Sequence, residues 1–271
     1  MLLSELGEEG LLRELERRGL ARGVADDTAL VGDLVVTQDA LVEGVHFRLD
    51  AISWRDLGWR AAAVNLSDLA AAGASPEALV VTLAAPRATL AEDVFELYEG
   101  IRETSVAVVG GDTTEAAQLV LSVTALGHSD RVPGRGGALP GDVVVVTGPL
   151  GASGAAFRTG GYVRPPLRLG EGRELAAHAH ALMDVSDGLG VDCRRLADAS
   201  GCAVVVDLER VPLAPGALLR DLSFGEDYEL LAAVRDAGPF TPIGRCVAGT
   251  GVSFRLHGEP FELAGWQHFA S

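Results

Sequence analysis

The 271-residue sequence contains no lysine; every basic side chain is arginine or histidine. A Walker A loop and the protein-kinase signature both require a lysine, so neither mode of nucleotide binding is available, and lysine Schiff-base chemistry is excluded as well. Basic residues are scarce overall: 22 arginines face 38 acids, for a net charge of −16. A chain of that sign lacks the basic footprint that nucleic acid demands, so no nucleic-acid partner is expected. Three cysteines, Cys193, Cys202 and Cys246, are too few and too scattered for a disulfide framework or a zinc site, and read as simple thiols. Apolar runs such as 143–147 and 79–83 are strand-length, far short of the roughly 18–20 residues of a membrane span. The first residues carry acids where a signal peptide carries basic residues. A soluble, cytoplasmic protein with no membrane attachment is therefore expected. Neither GxSxG nor HExxH occurs, and GASGA and GLGVD do not form a dinucleotide fingerprint.

What is present is a well-packed globular composition, 48% hydrophobic with 34 glycines. The length favours two domains. Helical spacing predicts an amphipathic helix over 8–20, with Leu11, Leu12, Leu15 and Leu20 on one face. Further helices are expected over 56–72, closed by Gly73, over 89–105 from an N-cap at Thr89, and over 172–182 and 188–200. Strands are expected at 28–31, 34–38, 79–84, 106–109, 119–127, 143–147, 182–186, 203–207 and 229–234, followed by one around IGRC. Helices and strands interleave, so the class is α/β or α+β. The densest Gly/Pro stretch, RVPGRGGALPGD, places a domain boundary near residue 138, giving 1–138 and 139–271.

Carboxylates in Gly- or Ser-bearing turns recur along the whole chain. They are Asp26 and Asp27 in VADDTAL, Asp39 in VVTQDALVEGVHF, Asp68 in VNLSDLAAAGA, Asp112 in GGDTT, Asp184 and Asp187 in MDVSDGLG, and Glu226 and Asp227 in GEDYEL. Read as acids where strands end, they suggest a pooled cage for hard cations, and such cations suggest phosphate. In GGDTT two glycines allow backbone N–H groups to approach an anion while Asp112 holds a metal, although a plain Asx turn fits the same residues. In MDVSDGLG, Asp184 and Ser186 share one side of a strand, and Asp187 takes the N-cap of the next helix. A carboxylate on a buried strand needs a partner, which favours a metal-phosphate role for Asp184. Asn65 and Asp68 lie on one helical face; either they bind something or Arg60 pairs with Asp68. His46, Trp54, Trp59 and Trp266 taken singly read as structural or core residues.

In order and spacing these segments resemble the thiamine-monophosphate kinase family, within the superfamily of aminoimidazole-ribonucleotide synthetase. The likeness runs from ADDTAL at 25–30 to GWQHF at 265–269, with LVEGVHF and GEDYEL pointing to the thiamine-phosphate branch. It implies an α/β N-terminal domain whose sheet pairs with that of a second subunit in a homodimer, an α/β C-terminal domain, and an active site between them. It implies ATP- and Mg2+-dependent phosphoryl transfer to thiamine monophosphate, with no side chain acting as general base. The implied metal ligands are Asp27, Thr37, Asp39, Asp68, Asp112, Asp184 and Asp187. The implied ATP contacts are Gly111, Asp112, Arg135 and Ser186, and the implied acceptor contacts are His46, Glu226 and Trp266. The sequence departs from the family pattern at Gln38, where threonine is usual, and at Ala25 and Phe224, where glycine is usual. Two other functions compete: a sister synthetase that activates a carbonyl or amide oxygen with ATP, and a non-catalytic metal-binding dimer. Against the first stand the lack of any cysteine before Cys193 and the absence of a C-terminal cysteine tail.

Overall fold

The computed structural model describes residues 2–23 and 26–266. Helix α1 (Leu3–Arg17) comes first, then strands β1 (Ala29–Val31) and β2 (Leu34–Val42), helix α2 (Trp54–Ala71) and strand β3 (Ser75–Ala85). Helix α3 (Ala91–Arg102) and strands β4 (Ala107–Glu115) and β5 (Val120–His128) complete the first half. The second half runs β6 (Val143–Val146), α4 (Ala152–Arg158), α5 (Leu169–Ala176), β7 (Ala181–Asp184), α6 (Leu189–Ser200) and β8 (Ala203–Asp207). It ends with β9 (Leu230–Val234), β10 (Thr241–Val247), β11 (Gly251–Leu256) and β12 (Glu259–Phe261). The architecture is mixed α/β, built on a five-stranded sheet in the order β1-β2-β5-β3-β4 and a seven-stranded sheet in the order β12-β11-β8-β10-β6-β9-β7. Pairing is antiparallel except for β3 with β4 and β8 with β11.

Helix α2 joins the two sheets. Ser53 caps it, its Oγ accepting the Asp56 N–H at 3.1 Å, and Gly73 at φ 63° ends it as expected. Thirteen of its 18 residues are buried. Ala61, Ala62, Leu66 and Leu69 pack with Val35, Leu79, Leu121 and Val123 of the first sheet, whereas Ala70 and Ala71 pack with Val145, Leu182 and Leu230 of the second. A helix covered on both flanks must be apolar nearly all round, and small side chains let its neighbours close in. A Cβ on Gly58 would sit 1.8 Å from the Leu97 carbonyl oxygen of α3, and one on Gly172 of α5 would sit 2.2 Å from that of Ala70. Truncating a fully buried leucine here, such as Leu66, costs about 2–5 kcal/mol.

Among the described residues, no helix covers the far face of the first sheet. Along β5, Leu121, Val123 and Ala125 are buried toward α2, while Val120, Ser122, Thr124 and Leu126 alternate with them and are half-exposed. Strand β4, at the sheet edge, is exposed at every residue.

Several expectations need correction. The first helix runs from Leu3 to Arg17 with a kink at Gly7, buries none of its residues, and leaves Leu20 outside and exposed. Helix α3 begins after Leu90 rather than from a Thr89 cap, and the helix expected at 172–182 is α5, which ends at Ala176 because 181–184 is strand. The acids do not all sit where strands end: Asp39 is inside β2, Asp112 inside β4 and Asp68 on α2. GGDTT is thus strand, not turn. Its glycine answers to crowding, since a Cβ on Gly111 would lie 1.8 Å from the Val81 carbonyl oxygen of β3.

Candidate active site

A cavity of about 700 Å3 opens between the two halves of the chain. Asp68 reaches it from α2, Thr37 and Asp39 from β2, Asp184 from the end of β7, and Asp27 from the segment before β1. Asp27, Asp68 and Asp184 each bring a carboxylate oxygen to within 4.8 Å of the others. Each is steered by a neighbour. Thr37 Oγ1 donates to Asp68 Oδ2 at 2.6 Å, and Ser67 Oγ donates to Asp184 Oδ2 at 2.6 Å. Asn65 Oδ1 accepts the Asp39 N–H at 2.9 Å and its Nδ2 donates to the Ala61 carbonyl at 3.0 Å, so the amide locks β2 to α2.

Burial raises all three carboxyls. Asp68 stands well above the ordinary range through desolvation and then the charges of Asp184, Asp39 and Asp27. Asp184 is likewise raised well above it by desolvation and the charge of Asp27, with the Ser67 hydrogen bond opposing. Asp27 is raised less because Arg135 offsets its desolvation. Three crowded carboxyls that offer only oxygen, each disfavoured as a bare charge, fit a hard divalent cation.

Around this trio lie ion pairs. Arg135 Nε donates to Asp27 Oδ1 at 2.8 Å, and its N–H to Asp26 Oδ1 at 2.9 Å. Arg195 pairs with Asp187 and, at 3.0 Å, with Asp192. Buried Asp192, pushed up to about 7 by desolvation, also accepts the Asp187 N–H at 3.1 Å. The N-cap of α6 is Gly188, with no side-chain cap, so Asp187 is held by Arg195 instead of capping that helix.

The opposite wall is set by the turn at 224–228. Gly225 has φ 82°, and a Cβ there would meet the Ser186 carbonyl oxygen at 2.3 Å; Glu226 and Tyr228 are left-handed too, at φ 58° and 52°. That turn is bolted to the 186–187 segment, the Glu226 N–H donating to Ser186 O at 2.7 Å. Glu226 pairs with buried Arg60, whose Nη1 also donates to the His46 carbonyl at 2.6 Å. The next acid is structural: Asp227 Oδ2 accepts the Gly151 N–H at 2.7 Å at the start of α4, which occupies the helix end that GPLGASGAA offers to an anion. Phe47, Phe157, Tyr162, Phe224 and Trp266 add aromatic surface to the cavity.

The family follows from comparison with known proteins. The model of the AIR synthase related protein N-terminal domain matches residues 25–129, and that of the C-terminal domain matches 140–257. Thiamine-monophosphate kinase of Halobacterium salinarum is 36% identical, over 92% of this chain and 96% of its own. That of Aquifex aeolicus is 32% identical over 99% and 100%. The chain belongs to the thiamine-monophosphate kinase family. The crystal structure of the Aquifex aeolicus thiamine monophosphate kinase superposes with a TM-score of 0.86 at 32% identity, covering 97% of this chain and all of that one. The AaThiL complex with AMPPCP and TMP gives 0.88 at 31% identity, over 99% of both chains. The hydrogenase maturation protein HypE, at 18% identity, shares the fold.

For a thiamine-monophosphate kinase sequence, the structure gathers most of the expected site. Asp27, Thr37, Asp39, Asp68, Asp184, Asp187, Arg135, Ser186, His46, Glu226 and Trp266 all line this cavity. Gly111 and Asp112 do not: they are exposed on β4, outside its lining. The suggested Arg60–Asp68 pair does not form either, because Arg60 turns to Glu226 and Asp68 to Thr37. The tryptophans are less buried than expected. Trp266 is 54% exposed, Trp54 is half-buried, and half-buried Trp59 pins the 164–168 loop by donating to the Pro165 carbonyl at 3.0 Å, with the Arg164 guanidinium 5.1 Å from its ring. All three cysteines are buried free thiols. At the departures, the Gln38 side chain accepts from Thr124 at 3.2 Å, Phe224 faces the cavity, and Ala25 lies outside the described residues, as does the QHF of GWQHF. Sequence reasoning missed Arg195, Tyr162 and Phe157; Phe157 alone left a signal, a bulky aromatic among the small residues of GASGAAF.

Proposed function

We propose that the protein transfers the γ-phosphoryl group of ATP to the phosphate of thiamine monophosphate, giving thiamine diphosphate and ADP. The carboxylate trio in the shared cavity, with Asp184 buried and Asp27 and Asp68 half-buried, carries this reading. The acceptor phosphate is already an anionic nucleophile, so no general base is needed; the obstacle is bringing two polyanions together on a chain of net charge −16. Mg2+ suits the all-oxygen donor set and supplies charge screening and alignment of the phosphates. Asp27, Asp68 and Asp184 would hold it, with Thr37, Asp39 and Asp187 nearby for further ions. Arg135 and Ser186 border the space where the ATP phosphates would lie, and His46, Glu226 and Trp266 border the acceptor. An acceptor phosphate oxygen displaces ADP from the γ-phosphorus in line, the new P–O bond forming as the bond to the bridging oxygen breaks. Gly111 and Asp112 remain assigned by resemblance alone.

We further assign a homodimer, supported by the uncovered face of the first sheet and the exposed edge strand β4. The division near residue 138 agrees with the link at 129–142 between the two sheets. A cytoplasmic location fits three buried free thiols, and no helix among the described residues is long and apolar enough to cross a membrane. The decisive assay follows ADP and thiamine diphosphate with purified protein, ATP and Mg2+, with and without thiamine monophosphate. Product only when all three are present supports the reading. ATP turnover without it points to a sister synthetase, and absence of ATP binding to a structural metal site.

A further inference from the structure

We infer that Phe157 and Phe224 form an aromatic wall that holds the flat, cationic heteroaromatic portion of the acceptor, a specificity surface that rests on the reaction proposed above. Phe157, near the end of α4, is 69% exposed, and its ring stacks on that of Phe224 with centroids 4.9 Å apart and planes inclined at 31°. Both rings line the cavity together with Trp266, Tyr162 and Glu226. The segments that carry Phe224 and Trp266 are fastened to one strip of chain. The Glu226 N–H, two residues after Phe224, donates to Ser186 O at 2.7 Å, and the Trp266 N–H donates to Asp187 O at 2.8 Å.

No packing demand accounts for Phe157, and no backbone demand for Phe224. Phe157 gives up little water in its present setting, and Phe224 sits at φ −75°, ψ −37°, a conformation open to any residue. Phe224 nevertheless lines the cavity. An exposed ring stacked on a half-buried one in a cavity marks a surface that becomes covered when a ligand arrives. The acceptor offers two suitable groups, a flat aminopyrimidine and a positively charged thiazolium. Flat rings stack on phenyl faces, and cations are drawn to their negative quadrupole. Glu226, which borders the acceptor in the proposed reaction, lies two residues from Phe224 in the same cavity wall, and this gives the pair to the acceptor ring rather than to adenine.

The test is calorimetric titration of thiamine monophosphate, and separately of AMPPCP, into the full chain with Mg2+, for wild type, Phe157→Ala, Phe224→Gly and Phe157→Tyr. Phe157 is exposed enough for its alanine variant to fold. Each ring removal should weaken thiamine monophosphate binding by about three- to tenfold, while Phe157→Tyr stays within about twofold and AMPPCP affinity does not move. Unchanged thiamine monophosphate affinity in both ring-removal variants overturns the inference. Weakened AMPPCP binding in its place also overturns it, by giving the pair to the adenine. Phosphoryl transfer is assayed on wild type in parallel: ring-dependent binding of thiamine monophosphate without thiamine diphosphate formation refutes the reaction and leaves the wall standing.

Discussion

Replacing Asp184 with asparagine should make the metal-free protein more stable and the magnesium-treated protein inert to the metal. Asp184 is 1% exposed, and its oxygen lies within 4.8 Å of those of Asp27 and Asp68. At that distance two full charges repel by about 3.5 kcal/mol at an effective dielectric constant of about 20. The trio escapes part of this by holding protons, and the asparagine oxygen can still accept from Ser67 Oγ, so a net gain of about 2 kcal/mol at pH 8 is expected. For a chain of this size that is a rise in Tm of about 4–8 °C. Wild type should gain about 2.7 kcal/mol from Mg2+ at a hundredfold excess over its Kd, and the variant nothing. The pH dependence follows from the raised carboxyls of Asp68 and Asp184. In EDTA the folded state binds more protons than the unfolded one above the ordinary aspartate range of about 4. Wild-type stability therefore falls as pH rises through that window toward the folded-state values, and less so in the variant. Scanning calorimetry in EDTA and in Mg2+ across pH 5–8 reads all of this. A variant no more stable than wild type in EDTA, or one that keeps its Mg2+ shift, would refute the reasoning.

Other outcomes follow from single contacts. Mg2+ binding to wild type near pH 7 should release protons, seen as a heat that varies with the ionisation enthalpy of the buffer; a buffer-independent heat contradicts the raised carboxyls of the trio. Gly225→Ala should cost about 2–3 kcal/mol and most of the activity, since φ 82° and the Ser186 carbonyl at 2.3 Å both resist a Cβ; denaturant melts check the first and turnover the second. Asn65→Leu leaves the Asp39 N–H without its acceptor, so a loss of about 1–3 kcal/mol together with weaker Mg2+ binding is expected from paired melts and titrations. Asp227→Ala uncaps α4 and should cost about 1 kcal/mol with little change in Mg2+ affinity, measured the same way.

The sequence made the alternation of helix and strand legible, and α2 and α6 lie close to their expected limits because apolar period and glycine punctuation agree there. The acids themselves were legible as a set. Which of them meet was not, because Asp27, Asp68 and Asp184 arrive from three unconnected elements, and only the sheet order and the two-sided burial of α2 bring them together. Arg60 shows the same limit, its carboxylate partner lying 166 residues away. GGDTT misled because glycines usually mark turns, whereas here a glycine lets β4 run flush against β3. Leucines at helical spacing marked α1 correctly as a helix, but periodicity does not say whether a face finds anything to bury against, and this one buries no residue.

The double coverage of α2 has a mechanical consequence. A rod clasped from both flanks cannot serve as a hinge, and Ser67 and Asp68 ride on that rod while their partners Asp184 and Thr37 belong to the sheets that clasp it. Any swing of one half against the other would have to shear the Ala70–Ala71 face from Val145 and Leu230, at the cost of the core itself. Substrates therefore meet a carboxylate floor of fixed geometry. The same clasp ties the melting of one half to that of the other, so heat should take the whole molecule apart in a single step.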